Sequence, residues 1–172
     1  SNNISEIKSE LDRYIDIFKR LQAEQKMDEL KNRLEKLVQH KDKLDRDINN
    51  LEISDDTSTE TRIWQEELRG LEELNSINQD IQEASELIKP FSEKSATKLD
   101  ELKNSPDFNQ ASNNIEETIS SLQQNNSKKA KTSSQSTINN LNNIQKQLTN
   151  IPINSANCLG HSTSNRRHHF VF

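Results

Sequence analysis

Apolar residues over the first fifty positions recur three and four apart. Ile4, Ile7, Leu11, Tyr14, Phe18 and Leu21 form one run. Met27, Leu30, Leu34, Leu37, Leu44, Ile48 and Leu51 form a second, with Lys41 standing in one seam position. Alternating spacings of three and four place side chains on one stripe of an α-helix, the heptad signature of a coiled coil. The two runs are out of phase. Extending the first predicts seam residues at Gln25 and Asp28, whereas the second begins at Met27. No Gly or Pro lies between them, so the spacing predicts a helix over 3–52 whose apolar seam rotates through 22–28. Asn3 with Glu6 offers a capping box at its start.

The stretch Ser54-Asp55-Asp56-Thr57-Ser58-Thr59 reads as a turn, because its side chains compete for backbone hydrogen bonds. Thr57 with Glu60 supplies a second capping box. A second stripe follows through Trp64, Leu68, Leu71, Leu74, Ile77, Ile81, Ala84 and Ile88. A short connection between two long amphipathic helices favours an antiparallel hairpin, with Leu51 and Trp64 near its tip. Pro90 is expected to end or kink the second helix, and Phe91, Leu99 and Leu102 continue a weaker period. Ser105-Pro106-Asp107 is a helix-start signal, followed by a modest stripe of Phe108, Ala111 or Ser112, Ile115, Ile119 and Leu122. Residues 123–136 are polar and low in complexity and read as a flexible linker. Ile138, Leu141, Ile144, Leu148 and Ile151 resume helical spacing up to Pro152. The expected organisation is a coiled-coil helical hairpin over 3–104, additional weaker helices over 105–151 around that linker, and an irregular tail over 152–172.

Composition sharpens this picture. Apolar residues make up 29% and charged residues 30% of the chain, with two Gly and three Pro. A typical globular domain has closer to half its residues apolar, so a thick core looks hard to fill, while thin seams between long helices need few apolar positions. So few turn residues argue against β-rich or loop-built folds. The fold class is all-α: an elongated antiparallel coiled-coil hairpin or helical bundle with a flexible polar C-terminal tail. Net charge is −5, and the excess acid lies in the first part. The weakly basic remainder carries too little positive charge to predict nucleic-acid binding. Asp16–Arg20, Glu29–Arg33 and Asp42–Arg46 are acid-to-base pairs four apart that support the first helix.

Few residues invite chemistry. Cys158 is the single cysteine, which excludes an intramolecular disulfide framework. With His161, His168 and His169 it suggests a metal set, but only Cys158 and His161 have the short spacing of a ligand pair; solvated tail residues are the better reading. Lys128, Lys129 and Lys131, and Arg166 with Arg167, read as solubilising charge. Phe170-Val171-Phe172 could dock in a groove. Trp64 reads first as filler of the hairpin's own seam and second as an anchor for a partner. No phosphate loop, zincin pair or nucleophile elbow occurs, and no apolar run is long enough for a transmembrane helix. Ser1-Asn2-Asn3 has neither a signal-peptide pattern nor an initiator Met, and reads as a processed or trimmed start.

The expected function is a non-catalytic coiled-coil interaction or scaffold module, without cofactor or metal, acting in the cytoplasm. Its binding seam is Leu11, Phe18, Leu30, Leu34, Leu37, Leu44, Trp64, Leu68, Leu71, Leu74 and Ile81, engaging protein partners or a second copy. The alternative is a membrane-associated or secreted effector-type regulator of trafficking proteins. Abundant Asn, Lys and Ile match AT-rich codon usage. In this Asn- and Ser-rich helical composition the chain resembles some secreted effectors of intracellular bacteria and some protist proteins, which implies action in a host cytosol.

Overall fold

The second apolar run of the first helix is the spine of the molecule. In the computed structural model, which describes residues 2–51 and 57–153, α1 runs Asn2–Leu51 as one unbroken helix. Among its buried residues, Ala23, Met27, Leu30, Leu34, Leu37, Lys41, Leu44, Ile48 and Leu51 alternate at four and three, with Val38 and Asp45 buried beside them, the seam of a left-handed helical bundle. Asn3 lies inside this helix rather than capping it. Half of the expected turn at 54–59, residues 54–56, lies outside the described residues; Thr57, Ser58 and Thr59 already belong to the next helix, α2 (Thr57–Ile88). The two helices are antiparallel. Asp47 pairs with Arg62, Lys41 with Glu67, Arg33 with Glu73 and Asp80, and Lys26 with Glu83, so one number falls as the other rises.

Pro90 ends α2 as its chemistry requires. Ser92 then caps α3 (Glu93–Lys103), its hydroxyl accepting from the Ser95 amide at 3.2 Å. Pro106 opens α4 (Pro106–Gln123) at the first helical position. The preceding Ser105 has extended backbone, but its hydroxyl makes no capping bond. Asn125 takes a left-handed φ of 54° in the turn that follows, a conformation Asn tolerates better than most residues. Asn126 then caps α5 (Ser127–Thr149), its side chain accepting from the Lys129 amide at 3.1 Å.

Residues 123–136 are therefore no linker. From Ser127 they are helical, and Ala130, Ser133 and Ser134 are buried, as is Thr137 just beyond. The buried stripe of α5 runs Ala130, Ser134, Thr137, Leu141, Ile144 and Leu148, again at four and three. Small and hydroxyl-bearing side chains hold seam positions there, which a count of apolar residues overlooks. The same substitution of small for apolar makes room for a fuller core than composition suggests. Ser85, Ser95, Thr118 and Ser121 are buried alongside it.

Neighbouring elements are α1 with α2, α2 with α3 and α4, α5 with α3 and α4, and α5 with α1. Ser85 donates to the Ala96 carbonyl and Asn78 to the Lys103 carbonyl, which sets α3 antiparallel to the end of α2. The segment α3–α4 is thus one interrupted helix, and the body is an up-down-up-down four-helix bundle. Residues 105–151 supply half of that bundle. The core reads as two apolar clusters. Leu44, Ile48, Leu51, Ile63, Leu122 and Ala130 close one end with Trp64 against them. The larger cluster, which includes Met27, Leu34, Ile81, Ile115, Leu141, Ile144 and Leu148, fills the rest.

Candidate interaction surface

Two features of this bundle depart from simple heptad packing: a polar layer inside it and an uncovered arm outside it.

The layer lies between the two apolar clusters. On α1, Lys41 sits between Leu37 and Leu44; on α2, Glu67 sits between Ile63 and Leu74. Both are fully buried, and the Lys41 ammonium donates to both carboxylate oxygens of Glu67. Burial pulls the Lys41 pKa below the usual lysine value, against the opposing pull of Glu67 and Asp45. On the facing helices Thr118 donates to Ser133 at 2.9 Å, and Ser134 and Thr137 are buried nearby along α5. The Ser134 hydroxyl and one oxygen each of Asp45 and Asn49 have no hydrogen-bond partner.

Outside the core, Arg33 turns across the hairpin. It donates to Glu73 at 2.8 and 3.1 Å, to Ser76 at 2.8 Å and to Asp80, while its Glu29 neighbour stands 3.9 Å away. These carboxylates raise the Arg33 pKa, and Glu83 with Asp80 raises that of Lys26. Arg46 donates to the Asp42 backbone carbonyl, and Arg20 lies over the Phe91 ring, 5.1 Å from its centroid, within cation–π range. Of the three anticipated acid-to-base pairs along α1, only Glu29–Arg33 is within ion-pair reach, at its outer limit.

The arm is the part of α1 that α2 is too short to cover. Every residue from Asn2 to Gln22 is exposed, and burial begins at Ala23. The first apolar run lies wholly on this overhang: Leu11 is 56%, Tyr14 65% and Phe18 63% exposed, with Ile4, Ile7, Ile15, Ile17 and Leu21 also open. The arm extends roughly 30 Å beyond the body at the rise of an α-helix.

The phase break now has a structural meaning. Carrying the body's seam back from Ala23 meets Arg20, Asp16, Arg13, Ser9 and Glu6, without one apolar residue. At about 100° per residue, the face between Phe18 and Leu21 lies roughly half a turn from that of Ala23, Met27 and Leu30. The arm's apolar stripe is directed away from the body's own core.

The anticipated seam residues therefore separate into groups. Leu30, Leu34, Leu37, Leu44, Leu74 and Ile81 are buried inside the bundle, and Trp64 and Leu71 are partly buried against it. Leu68 is 40% exposed: the seam of α2 passes through Ile63, Glu67 and Gly70, one position away from Trp64, Leu68 and Leu71. A carboxylate and a glycine hold seam positions that sequence reading gave to larger apolar neighbours; the signal available was Lys41, which requires an acid opposite. Leu11 and Phe18 stand on the arm. Of these residues, Leu11 and Phe18 are the most open to another molecule.

Among the described residues no group of His, Cys, Asp and Glu could hold a metal ion, and no helix is long and apolar enough to cross a membrane. Cys158, His161, His168, His169 and the Phe170–Phe172 end lie outside the described residues. No protein-family model, curated protein or solved structure matches this chain.

Proposed function

We propose that this protein is a non-catalytic helical interaction module, in which a four-helix body displays the N-terminal arm of α1 to another protein. The observation that carries this reading is the arm: a continuous apolar stripe, rimmed by polar residues, that the chain's own body leaves uncovered. Exposed apolar patches larger than a few hundred Å² mark interaction sites on soluble proteins. Spacing of three and four is the form in which one amphipathic helix offers anchors to other helices or a groove. The body contributes rigidity, since α1 continues unbroken from core to arm and carries the stripe at a fixed angle.

One observation favours a second reading, a membrane-associated or effector-type regulator: Tyr14 and Phe18 are residues that interfacial helices insert between lipids. Against it, the arm balances Glu6, Glu10, Asp12 and Asp16 with Lys8, Arg13, Lys19 and Arg20, so it has no net attraction for anionic lipid.

A photoreactive residue at Leu11 separates the readings. In cells making the full chain, cross-linking to protein is expected, and Ile7→Asp with Tyr14→Asp should abolish it. Adducts confined to lipid, with flotation on liposomes at moderate salt, would replace this function with the membrane reading.

A further inference from the structure

We infer that the occupant of the arm is the arm of a second copy, packed antiparallel; this rests on the reading of the arm as a docking element. Three observations lead to it. The first is charge. Residues 2–12 carry Glu6, Glu10 and Asp12 against Lys8 alone, and residues 13–22 carry Arg13, Lys19 and Arg20 against Asp16 alone. An antiparallel pair lays each acidic half along a basic one, whereas a parallel pair lays like on like.

The second is size. In the antiparallel register that centres on residues 12 and 13, Ile4 meets Leu21 of the other copy, Ile7 meets Phe18 and Leu11 meets Tyr14. Each aromatic ring faces an aliphatic side chain, so all layers have similar volume. Parallel pairing would stack Tyr14 on Tyr14 and Phe18 on Phe18 and leave thin layers beside them. Ile15 and Ile17 flank the stripe and would lie over the stems of Glu10 and Lys8 of the other copy.

The third is area and access. Eight large apolar side chains are open on the arm. At on the order of 100 Å² each they approach the ~800 Å² per partner of a standard stable interface. Because the stripe is directed away from the body's seam, the two bodies sit at opposite ends of the paired arms without competing for space. Ile153 shares a groove with Glu24 and Asp28 at the base of the arm, but the apolar residues that follow it in sequence are Ala156, Cys158, Leu159 and the cluster Phe170–Phe172. That stretch lacks a stripe to match six layers.

Light scattering on the full chain is expected to give twice the single-chain mass of 19.9 kDa. Leu11→Asp with Phe18→Asp should return the single-chain mass while the body melts unchanged. Orientation is read with cysteines in a Cys158→Ser background. The Ile4→Cys and Leu21→Cys proteins, mixed and oxidised, should cross-link to each other, and Ile4→Cys alone should not cross-link to itself. A single-chain mass for the native protein at all concentrations overturns the proposal. So does a double mass that survives Leu11→Asp with Phe18→Asp, or self-cross-linking of Ile4→Cys. If deletion of residues 154–172 turns a single-chain native protein into a pair, the tail is the occupant instead. A single-chain protein whose Leu11 probe still captures a different protein sinks the second copy and leaves the docking function standing.

Discussion

Gly70 holds a seam position of α2, and a methyl group there would meet Leu37 Cδ1 at 3.8 Å, an ordinary contact. Its backbone is helical and needs no special conformation. Gly70→Ala is therefore expected to stabilise the bundle by about 0.5–1 kcal/mol through helix propensity, measurable by urea unfolding; a loss of stability would mean that the crossing is tighter than this. Lys41 and Glu67 behave differently, because each is tolerable inside the core only through the other. Lys41→Met alone should cost about 3–5 kcal/mol by leaving a buried carboxylate unpaired, whereas Lys41→Leu with Glu67→Leu should be near neutral or stabilising by up to about 4 kcal/mol. A double-mutant cycle checks this, and additive losses would show that the pair is not coupled. At this scale the sequence was legible where side chains are large and apolar. Leu30, Leu34, Leu37, Leu44, Leu74 and Ile81 went to the core. Glu67 was signalled only indirectly, by Lys41 opposite it, and Gly70 not at all, because its seam role depends on Leu37 across from it.

Elements were readable in proportion to the strength of their period. The seam of α1, the stop at Pro90 and the start at Pro106 are visible from spacing and from proline chemistry. The beginning of α5 is not, since Ala130, Ser134 and Thr137 resemble a linker until Leu122 and Ile63 are known to close over that end. The stripe through Leu11 and Phe18 was also plain, but a stripe does not say which chain covers it. Substitutions along α1 distinguish the two halves of that helix. Leu37→Asp places a charge at a position 4% exposed and should cost about 3–5 kcal/mol. Leu11→Asp, on the same helix, should shift the thermal unfolding of the body by less than about 0.5 kcal/mol. Equal losses at both sites would mean that the arm is folded into the core.

For the whole molecule, the bundle and the arm are separable. Deleting residues 2–22 should leave a single-chain body roughly 45–50 Å long, as the span of α2 requires, melting as the intact chain does. Small-angle scattering should show the intact chain longer by at least the arm. Failure of the shortened chain to fold would make the arm part of the bundle's stability. The rotation of the seam between Leu21 and Met27 has a further consequence. A helix is a screw, so each residue added there turns the arm by about 100° and lifts it about 1.5 Å. The bearing of the arm is thus set chiefly by a residue count, with Arg20 over the Phe91 ring as its contact to the body. Replacing Gln22, Glu24 or Gln25 should hardly disturb where the protein points. Inserting two residues between Gln22 and Ala23 would swing the stripe over the body's own seam, giving up the Arg20–Phe91 contact but leaving the core from Ala23 onward intact and the protein facing the wrong way.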